Sequence, residues 1–334
     1  MPNEADKKVP LRWGIISTGV IADKFVRDLA YSREGAAFAV GSRSPEGAEQ
    51  FAGKHGIPRA YGSYEELVAD PEVEAVYIGT PHPFHKENAM LALRAGKAVL
   101  CEKPFTLNRS ELEEVVACAR EHGVFLMEAM WSRFIPAMVQ VREWIAAGKI
   151  GEVKLVKAEL GFRSDWNPQG RLLNRELGGG ALLDVGIYPV ALASMILGPS
   201  PKDVQSAVHI GETGVDEQFS LLLGYEGGKA AQLAGAIRLG MANDVHIYGT
   251  EGRIYIPLTP VNPYAAELYA GDERVERFED DRVCEGYVLE ADEVARCLRA
   301  GLKESPVMPL DESLEIMGLL DRVRKQWGLV YPGE

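Results

Sequence analysis

Three side chains form a set able to move a proton: Lys103, Asp184 and Tyr188. A tyrosine hydroxyl titrates near pH ~10, too high for a base at neutral pH unless a cation stands beside it. Lys103 follows the apolar run Lys97–Cys101 and falls at the carboxyl end of a strand, where open α/β sheets bind their ligands. Its ammonium there can lower the Tyr188 pKa and hold a substrate oxygen. Asp184 and Tyr188 stand four residues apart in the stretch ALLDVGIYPVAL, so they share one helix face. An aspartate inside so apolar a helix is costly without a partner, and Lys103 is a natural one. This set suits removal of a hydroxyl proton as a hydride leaves the same carbon. Taken alone, Tyr188 better fits a core tyrosine with a bonded hydroxyl, and Asp184 has a structural alternative as a cap or partner to the neighbouring domain.

A second group of residues reads as a dinucleotide cradle. The turn Ser17-Thr18-Gly19-Val20-Ile21-Ala22 follows an apolar strand and opens a helix. Set on G-x-G-x-x-G/A, it supplies Ser17, Gly19 and Ala22. Gly19 allows close approach to a pyrophosphate, Ala22 allows helix to meet strand, and the helix N-terminus holds the anion. Ser17 departs from glycine and serves if its φ is negative. The second strand ends in Gly41-Ser42-Arg43-Ser44, without the acid that an NAD ribose expects. Ser42 can donate to a phosphate and Arg43 can pair with a 2′-phosphate, which favours NADP over NAD. Thr80, His82 and His85 follow the fourth strand and border the same cleft, as do Glu102 and Trp131. Arg163 and Trp166 in a polar loop, and Tyr287 at a helix start, are the substrate-side candidates.

Positioning these residues requires two architectures. Apolar runs at Leu11–Ser17, Ala37–Gly41, Val73–Gly79, Lys97–Cys101 and Val124–Met127 alternate with helical stretches at Val20–Leu29, Pro45–His55 and Pro83–Ala95. A further helix reaches about Glu121, with Ser110 and Glu113 as its capping box. Parallel strands with helical crossovers make a doubly wound α/β domain over residues 1–130. Residues 131–334 read as an α+β domain. It has a long helix Arg133–Ala147, a strand Val153–Gly161, and the apolar helix Ala181–Leu197 between Gly178-Gly179-Gly180 and Gly198-Pro199. Alternating runs from Val204 to Ile256, with turns at Tyr225–Gly228 and Gly249–Gly252, indicate an open antiparallel or mixed sheet. Helices at Tyr287–Ala300 and Asp311–Trp327 close the chain, and the last is free to pack back on the first domain.

Composition narrows the classes of function. The chain has 334 residues, enough for about two domains of ~150. Its 36 basic and 49 acidic residues leave a net charge of −13, which speaks against a nucleic-acid or anionic-membrane partner. The opening Met1–Pro10 is polar, and no run of ~20 apolar residues is evident. Cys101, Cys118, Cys284 and Cys297 show no metal-ligand spacing and read as reduced core thiols of a cytoplasmic protein. No metal is expected, because Lys103 carries the charge that a Lewis acid would otherwise supply.

The stretch Glu102-Lys103-Pro104 resembles the Glu-Lys-Pro motif of the glucose–fructose oxidoreductase (Gfo/Idh/MocA) family. Trp13–Ser17, Ala60–Leu67, Tyr77–Thr80, His82-Pro83, Ala95–Leu100, Gly178–Tyr188 and Glu304–Val307 resemble its dimeric dihydrodiol dehydrogenase and D-xylose dehydrogenase branch. The resemblance implies an NADP-dependent dehydrogenase that oxidises a trans-dihydrodiol or an aldose, with Tyr188 as base, Lys103 beside it and Asp184 orienting the substrate. It also implies a homodimer or higher homo-oligomer through the C-terminal sheet. The branch's mammalian members carry a second arginine where this chain has Gly47, so NAD use stays open. Other sugar, inositol or anhydro-sugar dehydrogenases and reductases are same-class alternatives. An NADP-binding redox sensor and a glycosidase that uses NAD transiently are the others.

Overall fold

The computed structural model describes residues 9–334; the first eight residues of the polar opening segment lie outside the described residues. The first sheet is built from β1 (Leu11–Ile16), β2 (Gly35–Gly41), β3 (Arg59–Tyr61), β4 (Ala75–Ile78), β5 (Ala98–Glu102) and β6 (Leu126–Ala129). The helices between them are α1 (Val20–Leu29), α2 (Pro45–His55), α3 (Tyr64–Ala69), α4 (His85–Arg94) and α5 (Arg109–His122). All six strands are parallel, in the order β3-β2-β1-β4-β5-β6. Strands β4, β5 and β6 are buried along their whole length, as expected where helices cover both faces. The order reverses between β1 and β4, which opens a crevice at their carboxyl ends.

The second sheet has eight strands in the order β14-β13-β12-β11-β7-β10-β9-β8. They are β7 (Val153–Gly161), β8 (Asp203–Ile210), β9 (Asp216–Gly224), β10 (Ala230–Ala236), β11 (Val245–Gly249), β12 (Arg253–Ile256), β13 (Ala265–Ala270) and β14 (Glu273–Glu279). Only β7 and β10 pair in parallel; the remaining ladders are antiparallel. One face packs on the apolar segment around α7 (Ile187–Leu197); β9 alternates between buried and solvent-facing residues, and the edge strand β8 between half-buried and exposed ones. The remaining helices are α6 (Pro136–Ala146), α8 (Tyr287–Arg299) and α9 (Leu310–Trp327). The last two return to the first domain, α8 against α1 and α9 against α5. The buried Arg133–Glu312 pair, at 2.6 Å, ties the domain crossover to α9.

Several sequence expectations change. The α5 cap lies two residues earlier: Asn108 accepts from Glu111 N at 2.9 Å, and Glu111 accepts from Leu107 N at 3.1 Å. This replaces the box expected at Ser110 and Glu113, with the glutamate reaching the N–H one residue before the cap. The helix expected over Arg133–Ala147 is a 3₁₀ turn, Trp131–Phe134, followed by α6, because Pro136 holds Ile135 in an extended conformation. β3 and α3 were too short for their periodicity to register. The hairpin β13–β14 went unread because β14 is a charged edge with almost no buried side. The run 175–197 does hold an 18-residue window of mean hydropathy 1.8, apolar enough by composition to cross a membrane, but 83% of that window is buried inside the fold. Cys101, Cys118 and Cys297 are buried thiols, whereas Cys284 is partly exposed.

Candidate active site

The site is assembled where β5 ends and the α7 segment begins. Lys103 leaves β5 through a cis bond to Pro104, and its side chain is nearly buried at 12% exposure. A buried ammonium is costly unless paired and hydrogen-bonded. Here Nζ donates to the Asp184 carbonyl at 2.7 Å, lies 3.8 Å from Asp184 Oδ1, and sits 4.5 Å from the centre of the Tyr188 ring. Asp184 lies in a π-helical turn, Leu182–Gly186, that runs directly into α7. Gly180 opens it with φ +128°, and a Cβ there would strike the Asp216 carboxyl. That carboxyl accepts from Leu182 N at 2.6 Å and so caps the turn.

The electrostatics differ from the sequence expectation in one respect. Lys103 lies over the Tyr188 ring, and its Nζ hydrogen-bonds to the Asp184 carbonyl rather than to the Tyr188 hydroxyl. Burial, and then Glu102, push Tyr188 well above the usual tyrosine value, which favours the protonated phenol. The Trp131 indole N–H donates to the Tyr188 oxygen at 2.9 Å and acts in the opposite direction. Burial pulls the Lys103 ammonium below its usual value, while Asp184 and Glu102 oppose that. Burial works against an ionised Asp184, yet Lys103 and then Arg171 hold its carboxyl below the usual range.

The cofactor candidates divide into two groups. Thr18, Gly19 and Val20 line a cleft of about 440 Å³ with Asp23, Gly47, Gln50, Phe51 and Lys54. Gly19 is the N-cap of α1 and supplies no capping side chain, so the first-turn N–H groups are left for an anion. Ile21 follows on the same turn. Ser17 does not have the expected negative φ: it stands at +135°. The fingerprint turn imposes on it a glycine conformation, and its Oγ accepts from Gly19 N at 3.0 Å. Ser42 Oγ accepts from Ser44 N at 3.3 Å, and the exposed Arg43 guanidinium lies 5.9 Å from the Phe84 ring centre. The open cleft, the uncapped helix start and this cation together fit a dinucleotide.

The second group faces inward. His85 has a carbonyl against each ring nitrogen, Thr80 O at 2.7 Å and Pro104 O at 2.9 Å; the neutral ring donates to one of them, and both nitrogens are turned to the loop it braces. Glu102 also turns into the core, accepting from Tyr77 OH at 2.6 Å and Lys103 N at 3.2 Å. Thr80 Oγ1 accepts from Asn88 at 3.2 Å. His82 is held neutral by burial, then by His85, with its pKa pushed down to about 3; Nδ1 donates to Gly178 O at 3.2 Å. That leaves Nε2 as its acceptor.

On the substrate side, Tyr287 stacks on Trp131 with ring centres 4.2 Å apart and planes 13° apart. Trp131 thus connects Tyr287 to Tyr188. Arg163 bridges to Arg238 and Trp166 lies under Arg238, 5.5 Å from guanidinium to ring centre. Neither touches Lys103, Asp184 or Tyr188. Sequence reading missed Arg171, whose Nη1 donates to Asp184 Oδ1 at 2.5 Å. A half-exposed arginine in an irregular loop carries no periodic signal; only the unpaired aspartate pointed to such a partner. Among the described residues no three His, Cys, Asp or Glu side chains converge as a metal group.

Comparison with known proteins decides the family. Residues 11–130 match the oxidoreductase family with an NAD-binding Rossmann fold, and residues 138–255 match the GFO/IDH/MocA C-terminal domain. The chain belongs to the Gfo/Idh/MocA family. It is an NAD(P)-dependent dehydrogenase acting on CH–OH groups. Within the family it is 44% identical over 333 residues to the trans-1,2-dihydrobenzene-1,2-diol dehydrogenase of Mus musculus, covering 96% of this chain and 98% of that one. The Homo sapiens protein of the same name is 41% identical over 337 residues, at 96% and 98% coverage. A solved structure, a 3-ketoreductase from Actinomadura kijaniata in complex with NADP and TDP-benzene, superposes with a TM-score of 0.83. It is 28% identical, with 95% of this chain and 98% of that one covered.

Proposed function

We propose that the chain oxidises a hydroxyl of a trans-dihydrodiol or of a D-xylose-like aldose with NADP as hydride acceptor. The convergence of Lys103, Asp184 and Tyr188 at the carboxyl end of β5, beside the dinucleotide cleft, carries this reading. The names of the mouse and human relatives support the diol, and the NADP complex of the 3-ketoreductase supports the cofactor.

The α1 N-terminus and Gly19 hold the pyrophosphate, and Ser42 and Arg43 receive the 2′-phosphate. The bound oxidised cofactor supplies the hydride acceptor and a positive ring charge near the site. Lys103 and Asp184 bind and orient the substrate hydroxyls. Tyr188 exchanges the proton with the reacting oxygen, its own oxygen fixed by the Trp131 N–H. Because burial favours the protonated Tyr188 phenol, ionisation depends on added positive charge, and the same phenol is set to donate in the reverse, carbonyl-reducing direction. We further propose that two copies associate through the open face of the second sheet. That face carries Lys157, Ser220, Leu222, Gln232 and His246 around a shallow concavity of about 750 Å³.

An NADPH-fluorescence screen of aldoses, polyols and trans-dihydrodiols tests the activity. Tyr188→Phe and Lys103→Met are expected to reduce turnover at least a thousandfold while leaving NADP affinity within about tenfold. Turnover in Tyr188→Phe at the wild-type rate would refute the phenol's role.

A further inference from the structure

Asp28 lies near the C-terminal end of α1, the helix whose N-terminus faces the dinucleotide cleft. It is buried, at 4% exposure, and its carboxylate bonds to another helix, not to its own. Its Oδ1 accepts from Glu285 N at 2.6 Å; its Oδ2 accepts from Gly286 N at 2.8 Å and Val288 N at 2.9 Å. These are the orphan donors at the start of α8, which has no capping side chain of its own. A carboxylate gripping three backbone N–H groups fixes that helix start in place.

The start of α8 packs directly against Trp131. Gly286 has φ +123°, and a Cβ there would stand 2.5 Å from Ile135 Cδ1 and 3.4 Å from the Trp131 ring. The next residue, Tyr287, stacks on that indole, and the indole N–H points at the Tyr188 oxygen. Lys24 and Arg27 also reach Glu285, at 3.5 and 3.8 Å, but these are solvent-exposed pairs of little energetic weight.

We propose that Asp28 is a positioning residue that couples the dinucleotide helix α1 to the Tyr188 hydroxyl through the start of α8 and the Tyr287–Trp131 stack. The proposal rests on the reading of Tyr188 as the proton-exchanging group. Asp28 sets where α8 begins, α8 sets the Trp131 ring plane, and the ring plane sets the hydrogen bond to Tyr188. Seating a pyrophosphate on α1 therefore orders a group in the substrate half of the site. The ionisable groups facing Tyr188 are Glu102 from β5, Tyr287 from α8, and Lys103 and Asp184. Those facing Asp28 are Arg282, Cys284, Tyr287 and Glu290. Burial, and then Glu102 and Asp28, push Glu290 well above the usual carboxylate range.

The experiment compares wild-type protein with Asp28→Ala, Asp28→Asn, Trp131→Phe and the Asp28→Ala/Trp131→Phe double variant. Asp28→Ala is expected to lower kcat at least tenfold and to move the ascending limb of the kcat/KM pH profile upward, because the Trp131 donation that favours phenolate is lost. NADP affinity should stay within threefold. The double variant should be no more than threefold worse than Trp131→Phe alone, since both changes break one chain of contacts. Asp28→Asn keeps one accepting oxygen, so it should shift the limb in the same direction by less, and it carries the test if the alanine variant does not fold. A variant that only melts at lower temperature, with kcat and the limb unmoved, would overturn the proposal, as would losses that multiply in the double variant. Hydrogen exchange separates this from failure of the activity itself. NADP should slow exchange of the Trp131 indole N–H in wild type and not in Asp28→Ala, whether or not any alcohol is turned over. Exchange that NADP changes equally in both proteins would refute the coupling.

Discussion

On the proposed reading, Arg43 attracts a highly anionic cofactor to a chain whose net charge is −13. Its guanidinium is exposed beside Phe84 and, among the described residues, makes no ion pair, so nothing has to be broken before a phosphate is bound. A bidentate arginine–phosphate contact is worth more than an ordinary hydrogen bond, and the NAD ribose offers it no equivalent. Arg43→Ala should therefore raise KM for NADP by about thirtyfold or more and leave KM for NAD within about threefold. Steady-state kinetics with both cofactors measure this, and equal effects would rule out recognition of the 2′-phosphate. Gly47, where a second arginine would stand in mammalian members of the resembling branch, lines the cleft with Thr18, Gly19 and Lys54.

At the scale of elements, β6 is tied to the loop after β5 and to α9 by one carboxyl. Glu128 accepts from Phe105 N at 3.2 Å and from Ser313 Oγ at 2.7 Å. Burial pushes its pKa up to about 7, above the unfolded value near ~4.3. The folded state then binds more protons than the unfolded chain between those two values, so this group's effect on stability worsens as pH rises through that window and is constant above it. His82 and His85, whose pKa values burial lowers, act in the opposite sense over much of the same range. The informative quantity is thus a difference. Glu128→Gln should gain Tm relative to wild type as pH is raised from 5 to 8, by a few degrees. Parallel Tm profiles would show that Glu128 is ionised at no cost.

At the scale of the whole molecule, the two sheets are unequally covered. The first has helices on both faces, whereas the second leaves one face open, with Leu222 at 41% exposure among polar neighbours. An open, shallowly concave sheet face with an exposed leucine suits the association proposed above. Sedimentation should report a dimer, and Leu222→Lys should shift it to monomer while keeping NADP affinity, because the dinucleotide cleft lies in the other domain. A monomeric wild-type protein at micromolar concentration would sink the proposed association.

Much of the fold was legible along the chain because burial follows local period. Runs such as Val73–Gly79 and Lys97–Cys101 must lie in covered parallel strands, and Glu102-Lys103-Pro104 falls at the end of one by counting alone. Elements without such a period escaped: β3 is three residues long, and β14 is charged on nearly every position. The candidate site was legible only as a set of residue types. Lys103 and Asp184 are 81 positions apart, and their 2.7 Å contact depends on how the α7 segment docks on β5. The same docking places the ammonium over the Tyr188 ring, brings Arg171 to Asp184, and points the Trp131 N–H at Tyr188. It also turns His85 and Glu102 inward. Sequence by itself determined which residues had the right chemistry and which strand ends would carry them, because those follow from local burial and turn formation. Tertiary structure alone decided which atoms meet, because hydrogen-bond geometry and pKa depend on ångström-scale distances between elements that no local pattern encodes.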